Sequence, residues 1–426
     1  MADTEMKNKN RRLAQNTMFL YMMTASTYIL NFATVAYLTR VLGPSIYGQV
    51  GIAIGYMAYI QIVLDFGFIL SATQRISERR EDTHFASEVI ASVTAIKLVL
   101  FCLVCCIFIM LYRLSFFDDM VLKLVLIYSL AYFAASLLPD YYYRGIENMK
   151  TISLRTILIR LVFTLLIFGL VRSASDVLFV PASMLVGNVT ALVFTIYDLG
   201  KNYGIKLVRP SLRNISVFFK ESLPFFVSRF ASIFYQALNV IIFGKVYGTA
   251  PIVGYYTSCD KIVALAKTGS YPIADSLYPY MLENKNYKLV RKILMIFMPI
   301  ITAGVIFLGI FAEPICVLLF GAEYREAGKI LRLLLPIIWV ILPTYIIAFP
   351  IMSPLGLVKY TNISNVVGMF IQITGLVILY VVGQFNLYAI CGLTSITEVA
   401  VFIFRVTVVL IHSRKIRRTK SKRELG

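Results

Sequence analysis

The sequence predicts an all-α polytopic membrane protein with twelve transmembrane helices in two six-helix bundles. Apolar residues make up 59% of the 426 positions and charged residues only 15%, well below the ~25% charged residues of a soluble domain. The apolar residues form long runs along the whole chain, and a run of ~20 is enough to cross a ~30 Å hydrocarbon core as a helix. Similar motifs recur in the two halves, which predicts that the bundles are related by an axis along the membrane normal and enclose a central cavity.

Residues 16–80 show the unit that the later chain repeats. Two apolar runs, 16–39 and 47–70, are joined by a short predicted loop at 40–46 and followed by a basic segment at 75–80. No connection between the apolar runs is long enough to hold a folded domain. The predicted spans are 16–39, 47–70, 87–112, 120–141, 153–171, 177–198, 222–243, 251–276, 293–318, 328–351, 361–382 and 386–411.

Basic residues mark one side of the predicted membrane. The formal net charge is +19, and Lys and Arg concentrate in the N-terminal segment, in every second connection, including Arg144 and Lys150, and in the tail at 414–423. The positive-inside rule therefore predicts that both termini are cytoplasmic. We do not expect a nucleic-acid partner, because this distribution is that of topology signals and the basic tail suits anionic lipid.

A polar, basic linker separates six predicted spans from the other six. It predicts an N-terminal lobe at 1–200, a cytoplasmic linker at 201–221, a C-terminal lobe at 222–412 and a basic cytoplasmic tail at 413–426. Lys-Val-Tyr-Gly at 245–248 follows span seven as Arg-Val-Leu-Gly at 40–43 follows span one. This correspondence indicates an internal duplication in which both halves keep the same orientation.

The cysteines indicate packing rather than metal binding. All six lie inside or at the edge of apolar runs, and the cluster of Cys102, Cys105 and Cys106 has no second ligand pair at metal spacing. We therefore expect no metal site and no cofactor. The sequence has no Gly-rich phosphate loop with Lys and Ser or Thr, so ATP hydrolysis by this chain is not expected.

Charged side chains inside the predicted spans are the candidate functional residues. Each costs ~2.5–3.5 kcal/mol at the membrane centre on insertion scales, so it usually faces a cavity or a partner. Basic groups outnumber acidic ones, and a cavity lined by Arg and Lys attracts a pyrophosphate and repels a cationic drug. The predicted substrate-binding residues are Lys97, Arg155, Arg160, Arg229, Lys261 and Lys267, and the predicted coupling or gating residues are Asp65, Arg75, Asp260, Glu398 and Arg405.

Structural roles remain open for the basic residues of the first half. Arg155 lies near the predicted cytoplasmic edge, where a long side chain can extend to the interface instead of contacting substrate. Lys97 and Arg160 each have two interpretations, exposure to a cavity or pairing with a carboxylate of a neighbouring helix.

The acidic candidates also have two interpretations. Pairing within one helix and a coupling role are equally open for two acid–base pairs at i, i+7 spacing, Asp260 with Lys267 and Glu398 with Arg405. Asp65 and Arg75 fit either a gating ion pair or a surface pair worth under ~1 kcal/mol.

Short blocks along essentially the whole chain resemble the polysaccharide transporter family. In the first half they are 40–44 (RVLGP), 65–75 (DFGFILSATQR) and 143–149 (YRGIENM); in the second half they are 221–229 (ESLPFFVSR), 253–261 (VGYYTSCDK), 271–273 (YPI) and 320–324 (FGAEY). The family belongs to the multidrug/oligosaccharidyl-lipid/polysaccharide exporter superfamily, with twelve helices in two lobes. The resemblance implies a flippase that moves an undecaprenyl-pyrophosphate-linked oligosaccharide, such as an O-antigen unit, across a bacterial inner membrane by alternating access.

Two other functions are set against this expectation. A drug or organic-cation antiporter of the same superfamily predicts dominant intramembrane carboxylates, which the sequence lacks. A membrane polysaccharide polymerase or glycosyltransferase needs a large polar region with catalytic carboxylates or a metal motif. The resemblance implies a non-enzymatic transporter whose partners are the lipid-linked substrate, membrane lipids and, as candidates, a polysaccharide polymerase and a chain-length regulator. The coupling ion is left open between a proton, sodium and none.

Overall fold

A computed structural model describes the backbone of residues 2–114, 117–206, 208–248 and 250–424. The side chains of 2–21, 224–225, 227–229, 231–237, 279, 283 and 414–424 lie outside this description, so the predictions for Arg229 and for the basic termini fall there. The described backbone is helical, with a 3₁₀ segment at Ala174–Leu178 and a π segment at Ile347–Ile351 among the irregular elements. The α-helices are α1 Ala2–Asp65, α2 Phe68–Glu78, α3 Thr83–Arg113, α4 Asp119–Ser136, α5 Asp140–Gly145, α6 Met149–Leu170, α7 Phe179–Tyr203, α8 Leu212–Tyr247, α9 Pro251–Asn284, α10 Tyr287–Ile310, α11 Ala312–Phe320, α12 Ala327–Ile346, α13 Val358–Val381 and α14 Leu387–Glu424.

The helices are those of a multi-pass membrane protein. Within the described residues, nine helical stretches are long and apolar enough to cross a membrane. Large apolar side chains are exposed on α10, among them Met295, Ile300 and Ile306. A helix can present such a surface to lipid because its backbone hydrogen bonds are satisfied internally. The predicted count of twelve spans stays a prediction.

The first two predicted spans are joined by a kink instead of the expected loop. Helix α1 runs through both, and its backbone leaves the helical region at Gly43, with φ 70° and ψ 169°. Glycine reaches positive φ without the steric cost of a Cβ atom. Pro44 follows at once, and proline suits the first turn of a helix because its missing N–H has no partner to lose there. The Gly-Pro pair therefore redirects the helix without a connecting loop.

A second break follows Asp65 and separates α1 from α2. Phe66 and Gly67 have positive φ values of 41° and 81°, and a positive φ is strained for a bulky residue such as Phe66. The Phe66 ring is stacked against the rings of Phe219 and Phe226 from α8, with centroid distances of 4.7 and 4.6 Å. These contacts help to hold Phe66 in the strained conformation between α1 and α2.

The chain also breaks between α4 and the short helix α5. The predicted span at 120–141 ends early, at Ser136, because the residue before Pro139 is disfavoured in the helical region. Helix α5 then packs closely against α2: a Cβ atom added to Gly145 would lie 2.6 Å from Cγ2 of Ile76. Only glycine permits this approach between the two helices.

The chain forms two compact units, Met1–Val253 and Gly254–Gly426. In the first unit α1 packs against α4, α6 and α8, and α4 packs against α7. In the second unit α14 packs against α12 and α13, and α10 packs against α12. The predicted linker at 201–221 contains the end of α7, a short connection and the first turns of α8.

Candidate functional site

The first unit contains a cavity of about 700 Å³. Its lining combines charged, neutral polar and apolar side chains from the seven helices α1 to α7 and from the connection between α4 and α5. The lining residues are Gln61, Asp65, Ile69, Leu70, Thr73, Lys97, Tyr132, Ala135, Ser136, Leu138, Asp140, Tyr141, Arg144, Met149, Thr156, Ile159, Arg160, Phe163, Met184 and Asn188.

Three of the predicted site residues meet at this cavity. Lys97 comes from α3, Arg160 from α6 and Asp65 from the end of α1. Two further charged residues, Asp140 and Arg144 of α5, line the same space. The cavity thus has three basic and two acidic residues in its lining.

Lys97 is buried where α3 contacts the end of α4. It is 5% exposed, and its ammonium donates a hydrogen bond to the backbone carbonyl of Ser136, in the last turn of α4. Carbonyls in that position have no partner within their own helix, so they are natural acceptors for a cation. The ammonium also lies 5.9 Å from the ring centroids of Phe68 and Tyr141. These contacts hold the charge beside the cavity.

Arg160 is half-buried on the face of α6 that lines the cavity. Thr156, Ile159, Arg160 and Phe163 follow the i, i+3, i+4, i+7 spacing of a single helix face. Nη1 of Arg160 donates to Oδ1 of Asn31 in α1 at 3.3 Å. This neutral partner leaves the positive charge of the guanidinium uncancelled by that bond.

Arg144 is a cavity residue that sequence reasoning treated as a topology signal. It lies on α5, directly after the buried residues Tyr141, Tyr142 and Tyr143. Its Nε atom is buried and has no hydrogen-bond partner among the described residues. The Tyr-Arg-Gly sequence was already recognised as part of a family block, and this was the only signal in the sequence that pointed to Arg144.

Arg155 lies behind the cavity surface and not on it. It is 6% exposed, and its Nη2 atom forms an ion pair with the Asp140 carboxylate. Nη1 donates to Oγ1 of Thr195 in α7 at 3.3 Å. Its guanidinium lies 5.8 Å from the Tyr143 ring centroid. Asp140 is among the described residues that line the cavity, whereas Arg155 is not.

The tyrosines of α5 anchor that helix inside the unit. Tyr143 is fully buried, and its hydroxyl donates to Oδ2 of Asp198 in α7 at 2.6 Å. Tyr142 packs edge-on against Tyr203, with ring centroids 5.6 Å apart. Tyr141 faces the cavity. Helix α5 is therefore positioned by α7 on one side and by α2 on the other.

Arg75 is paired with an acid far away in the sequence. It forms a bidentate ion pair with Glu221 in the third turn of α8, and both side chains are more than a third exposed. The neighbouring hydroxyls of Ser71 and Ser222 are 2.6 Å apart. These contacts connect α2 to α8, and a gating role for Asp65 and Arg75 stays a prediction.

The remaining predicted residues belong to the second unit. Lys267 of α9 forms an ion pair with Glu398 of α14, with Nζ 3.0 Å from Oε1. This pair joins two helices, in contrast to the within-helix pairing considered from the i, i+7 spacing. Asp260 and Lys261 are partly buried on α9.

Arg405 stabilises an irregular part of the second unit. It is 5% exposed and donates to Oγ of Ser364 at 2.8 Å, to the Thr344 carbonyl at 3.0 Å and to Oδ1 of Asn365 at 2.9 Å. Thr344 lies just before the π segment, where the regular hydrogen-bond ladder of α12 is interrupted. Arg405 therefore satisfies a carbonyl beside that interruption.

The fold and the cavity define a helical multi-pass membrane protein with a partly charged internal site. A family model described as "Polysaccharide biosynthesis protein" matches residues 13–285. The chain belongs to this family, which confirms the resemblance inferred from the short sequence blocks.

Two curated relatives are similar to most of the chain. A protein of Shigella dysenteriae, provisionally named an O-antigen transporter, is 25% identical over 330 residues, covering 75% of this chain and 81% of that protein. A protein of Escherichia coli K12 with the same provisional name is 27% identical over 289 residues, covering 64% of this chain and 66% of that protein.

Two solved structures share the fold. The inward-facing structure of a multidrug resistance MATE family transporter matches with a TM-score of 0.70 and 18% identity, covering 93% of this chain and 96% of the other. The lipid II flippase MurJ, in an inward closed conformation, matches with a TM-score of 0.69 and 12% identity, covering 93% and 87%. At these identities the likeness concerns the fold alone.

Proposed function

We propose that this protein is a flippase that moves a lipid-linked oligosaccharide across the bacterial inner membrane by alternating access. The substrate is an undecaprenyl-pyrophosphate-linked repeat unit of O-antigen or another surface polysaccharide. Membership of the polysaccharide biosynthesis family and the provisional names of the two relatives support this proposal. The fold is also shared with MurJ, which is named as a flippase of a different lipid, lipid II.

The observation that carries the proposal is the convergence of Lys97, Arg144 and Arg160 on one cavity. A pyrophosphate presents several anionic oxygens, for which a guanidinium offers a fixed fork of donors and an ammonium a compact charge. The ion pair with Arg155 offsets the charge of Asp140, one of the two acids in the lining. The cavity therefore favours an anionic headgroup.

Neutral polar groups in the same cavity suit the sugars. Gln61, Thr73, Tyr132, Thr156 and Asn188 add amide and hydroxyl groups, which serve as donors and acceptors for sugar hydroxyls. The volume of about 700 Å³ lies within the ~300–1,000 Å³ of typical ligand sites. We assign the cavity to the pyrophosphate and the sugars nearest to it, with the polyprenyl chain left in the lipid.

The proposed architecture has twelve membrane spans in two six-helix bundles related by an axis along the membrane normal. The bundles correspond to the N-terminal lobe at 1–200 and the C-terminal lobe at 222–412. A cytoplasmic linker at 201–221 and a tail at 413–426 complete the chain, and both termini are cytoplasmic. Each predicted span overlaps a described helix, which supports this arrangement.

The remaining charged residues are proposed to contact substrate or to couple and gate the transport cycle. Arg229, Lys261 and Lys267 belong to the first group, and Asp65, Arg75, Asp260, Glu398 and Arg405 to the second. The energy source is a proton or sodium gradient, the membrane potential or consumption of the product outside. We propose that this chain has no catalytic activity. We propose a polysaccharide polymerase and a chain-length regulator as its partners.

A drug or organic-cation antiporter is the second candidate, because the fold of this chain is as similar to that of the MATE transporter as to that of MurJ. The charges of the cavity distinguish the two functions. A site for organic cations needs exposed carboxylates, whereas here three basic residues line the cavity and one of the two acids is paired with Arg155. The flippase is therefore the better-supported function.

Deletion of the gene in its bacterial host tests the proposal. We expect lipid-linked oligosaccharide to accumulate on the cytoplasmic side and surface polysaccharide to be lost. In the proposed pathway the repeat unit is made on the cytoplasmic side of the membrane and polymerised on the other side. The wild-type gene on a plasmid should reverse both effects. Normal surface polysaccharide in the deletion strain, together with increased sensitivity to cationic drugs, would favour the antiporter instead.

A further inference from the structure

We infer that Arg155 is a positioning residue that keeps the Asp140 carboxylate away from Arg144, so that Arg144 stays available to the anionic substrate. This inference rests on the proposed function, because it concerns how the cavity of the first unit keeps its positive charge. It assigns Arg155 an indirect role in place of the substrate contact expected from the sequence.

The spacing on α5 makes Asp140 and Arg144 natural partners. They are four residues apart on the same short helix, and both line the cavity. An acid followed by a base at i, i+4 is the favourable order for an ion pair along a helix. If that pair formed, one of the cavity's three basic groups would be neutralised before any substrate arrived.

The structure shows a different pairing. The Asp140 carboxylate is bound by Arg155 of α6, while Nε of Arg144 is buried without a hydrogen-bond partner among the described residues. The side chain of Arg155 is 5% exposed and that of Asp140 is 33% exposed. Arg155 thus reaches the acid from the protein interior, and it is not among the residues that line the cavity.

Arg155 is itself held in place by groups that do not touch the cavity. Thr195 accepts a hydrogen bond from Nη1, and the Tyr143 ring lies beside the guanidinium. Tyr143 is fixed in turn by its hydrogen bond to Asp198. The guanidinium therefore has a defined orientation before Asp140 binds it, which favours its pair with Asp140 over a pair between Asp140 and Arg144 along α5.

The charge balance of the cavity depends on this arrangement. With Asp140 bound by Arg155, the three basic lining residues face one other acid, Asp65. Without Arg155, Asp140 adds an uncompensated negative charge beside Arg144 and competes with a pyrophosphate for it. Loss of Arg155 should therefore weaken anion binding even though Arg155 does not line the cavity.

Binding of farnesyl pyrophosphate to the purified full-length protein in nanodiscs, measured by calorimetry, tests the inference. We expect Arg155→Gln to weaken binding about tenfold, because the uncompensated charge of Asp140 then opposes the anion in the same cavity. Asp140→Asn should bind more tightly than wild type, and Arg155→Gln combined with Asp140→Asn should return to within about twofold of wild type. Arg155→Lys, which keeps the charge, should stay within about threefold.

A purely structural ion pair gives a different pattern. In that case Arg155→Gln and Asp140→Asn lower the melting temperature equally, and both single variants bind farnesyl pyrophosphate with the same affinity. The inference would be overturned if Arg155→Gln bound with wild-type affinity, or if the double variant bound as weakly as Arg155→Gln alone. If Arg155→Gln does not fold, Asp140→Asn decides alone, since weaker binding by that variant contradicts the inference and tighter binding supports it.

The wild-type protein separates this inference from the proposed function. If the wild type does not bind farnesyl pyrophosphate, the assignment of the cavity as an anion-binding site is wrong, and the role of Arg155 is wrong with it. If the wild type binds and Arg155→Gln binds equally well, only the inference about Arg155 fails. Arg172→Gln, at an exposed position after α6, is the matched control and should bind as wild type does.

Discussion

Replacement of Arg160 or Lys97 by glutamine should reduce surface polysaccharide at least about tenfold while the protein remains in the membrane. A hydrogen bond to a charged group contributes about 1.5–3 kcal/mol, and 1.4 kcal/mol corresponds to a factor of ten. Both residues line the cavity of the first unit, and each would lose its charge towards the pyrophosphate. Surface polymer is measured by immunoblot at matched expression of each variant.

The control for this prediction is Arg172→Gln. Arg172 is exposed, and its Nε atom donates only locally to the Gly169 carbonyl at 3.2 Å. We expect normal polymer from this variant, and Arg160→Lys should keep part of the activity because it retains the charge. Normal polymer from both Arg160→Gln and Lys97→Gln would mean that the basic cavity does not bind the transported headgroup.

Replacement of Gly145 by alanine should impair export and lower the melting temperature. The new Cβ atom would lie 2.6 Å from Cγ2 and 2.8 Å from Cβ of Ile76, a buried residue of α2. Overpacking of this kind typically costs about 1–3 kcal/mol. Relief of the clash moves α5 away from α2, and these two helices supply Thr73, Asp140 and Arg144 to the cavity. Export and thermal unfolding are measured on the same variant.

Gly169→Ala in α6 is the matched substitution without a clash. A Cβ atom at that position meets nothing within 4 Å, and alanine is the better helix former by about 1 kcal/mol. We expect this variant to export normally and to be at least as stable as wild type. An effect of Gly145→Ala no larger than that of Gly169→Ala would contradict the close packing of α5 on α2.

The sequence predicted the helices better than the places where they break. Long apolar runs report burial in lipid, and every predicted span overlaps a described helix. Gly43 and Pro44 were interpreted as part of a loop, because that dipeptide is equally compatible with a loop and with a kink inside a helix. The break at Phe66 was not predicted, because a lone glycine such as Gly67 is tolerated inside a helix and the ring contacts with α8 come from about 150 residues later.

The intramembrane charges were found from the sequence, but their partners were not. Lys97 and Arg160 were identified by the cost of placing a charge inside a span, and both line the cavity. Arg75, Arg155 and Lys267 instead form ion pairs between helices. Spacing along one helix predicts neighbours on that helix only, whereas these pairs are decided by tertiary packing. Arg144 was missed because the sequence placed it in a cytoplasmic connection, whereas it lies on the short helix α5 and lines the cavity.

The most direct test of the account is a flipping assay with the purified protein in liposomes that contain the host's lipid-linked oligosaccharide. Movement of the labelled sugar across the bilayer is followed by its protection from an enzyme added outside. We predict rapid flipping by the wild type and a rate at the level of protein-free liposomes for the variant with Lys97, Arg144 and Arg160 all changed to glutamine. Flipping by that triple variant at the wild-type rate would contradict the claim that these three residues hold the headgroup.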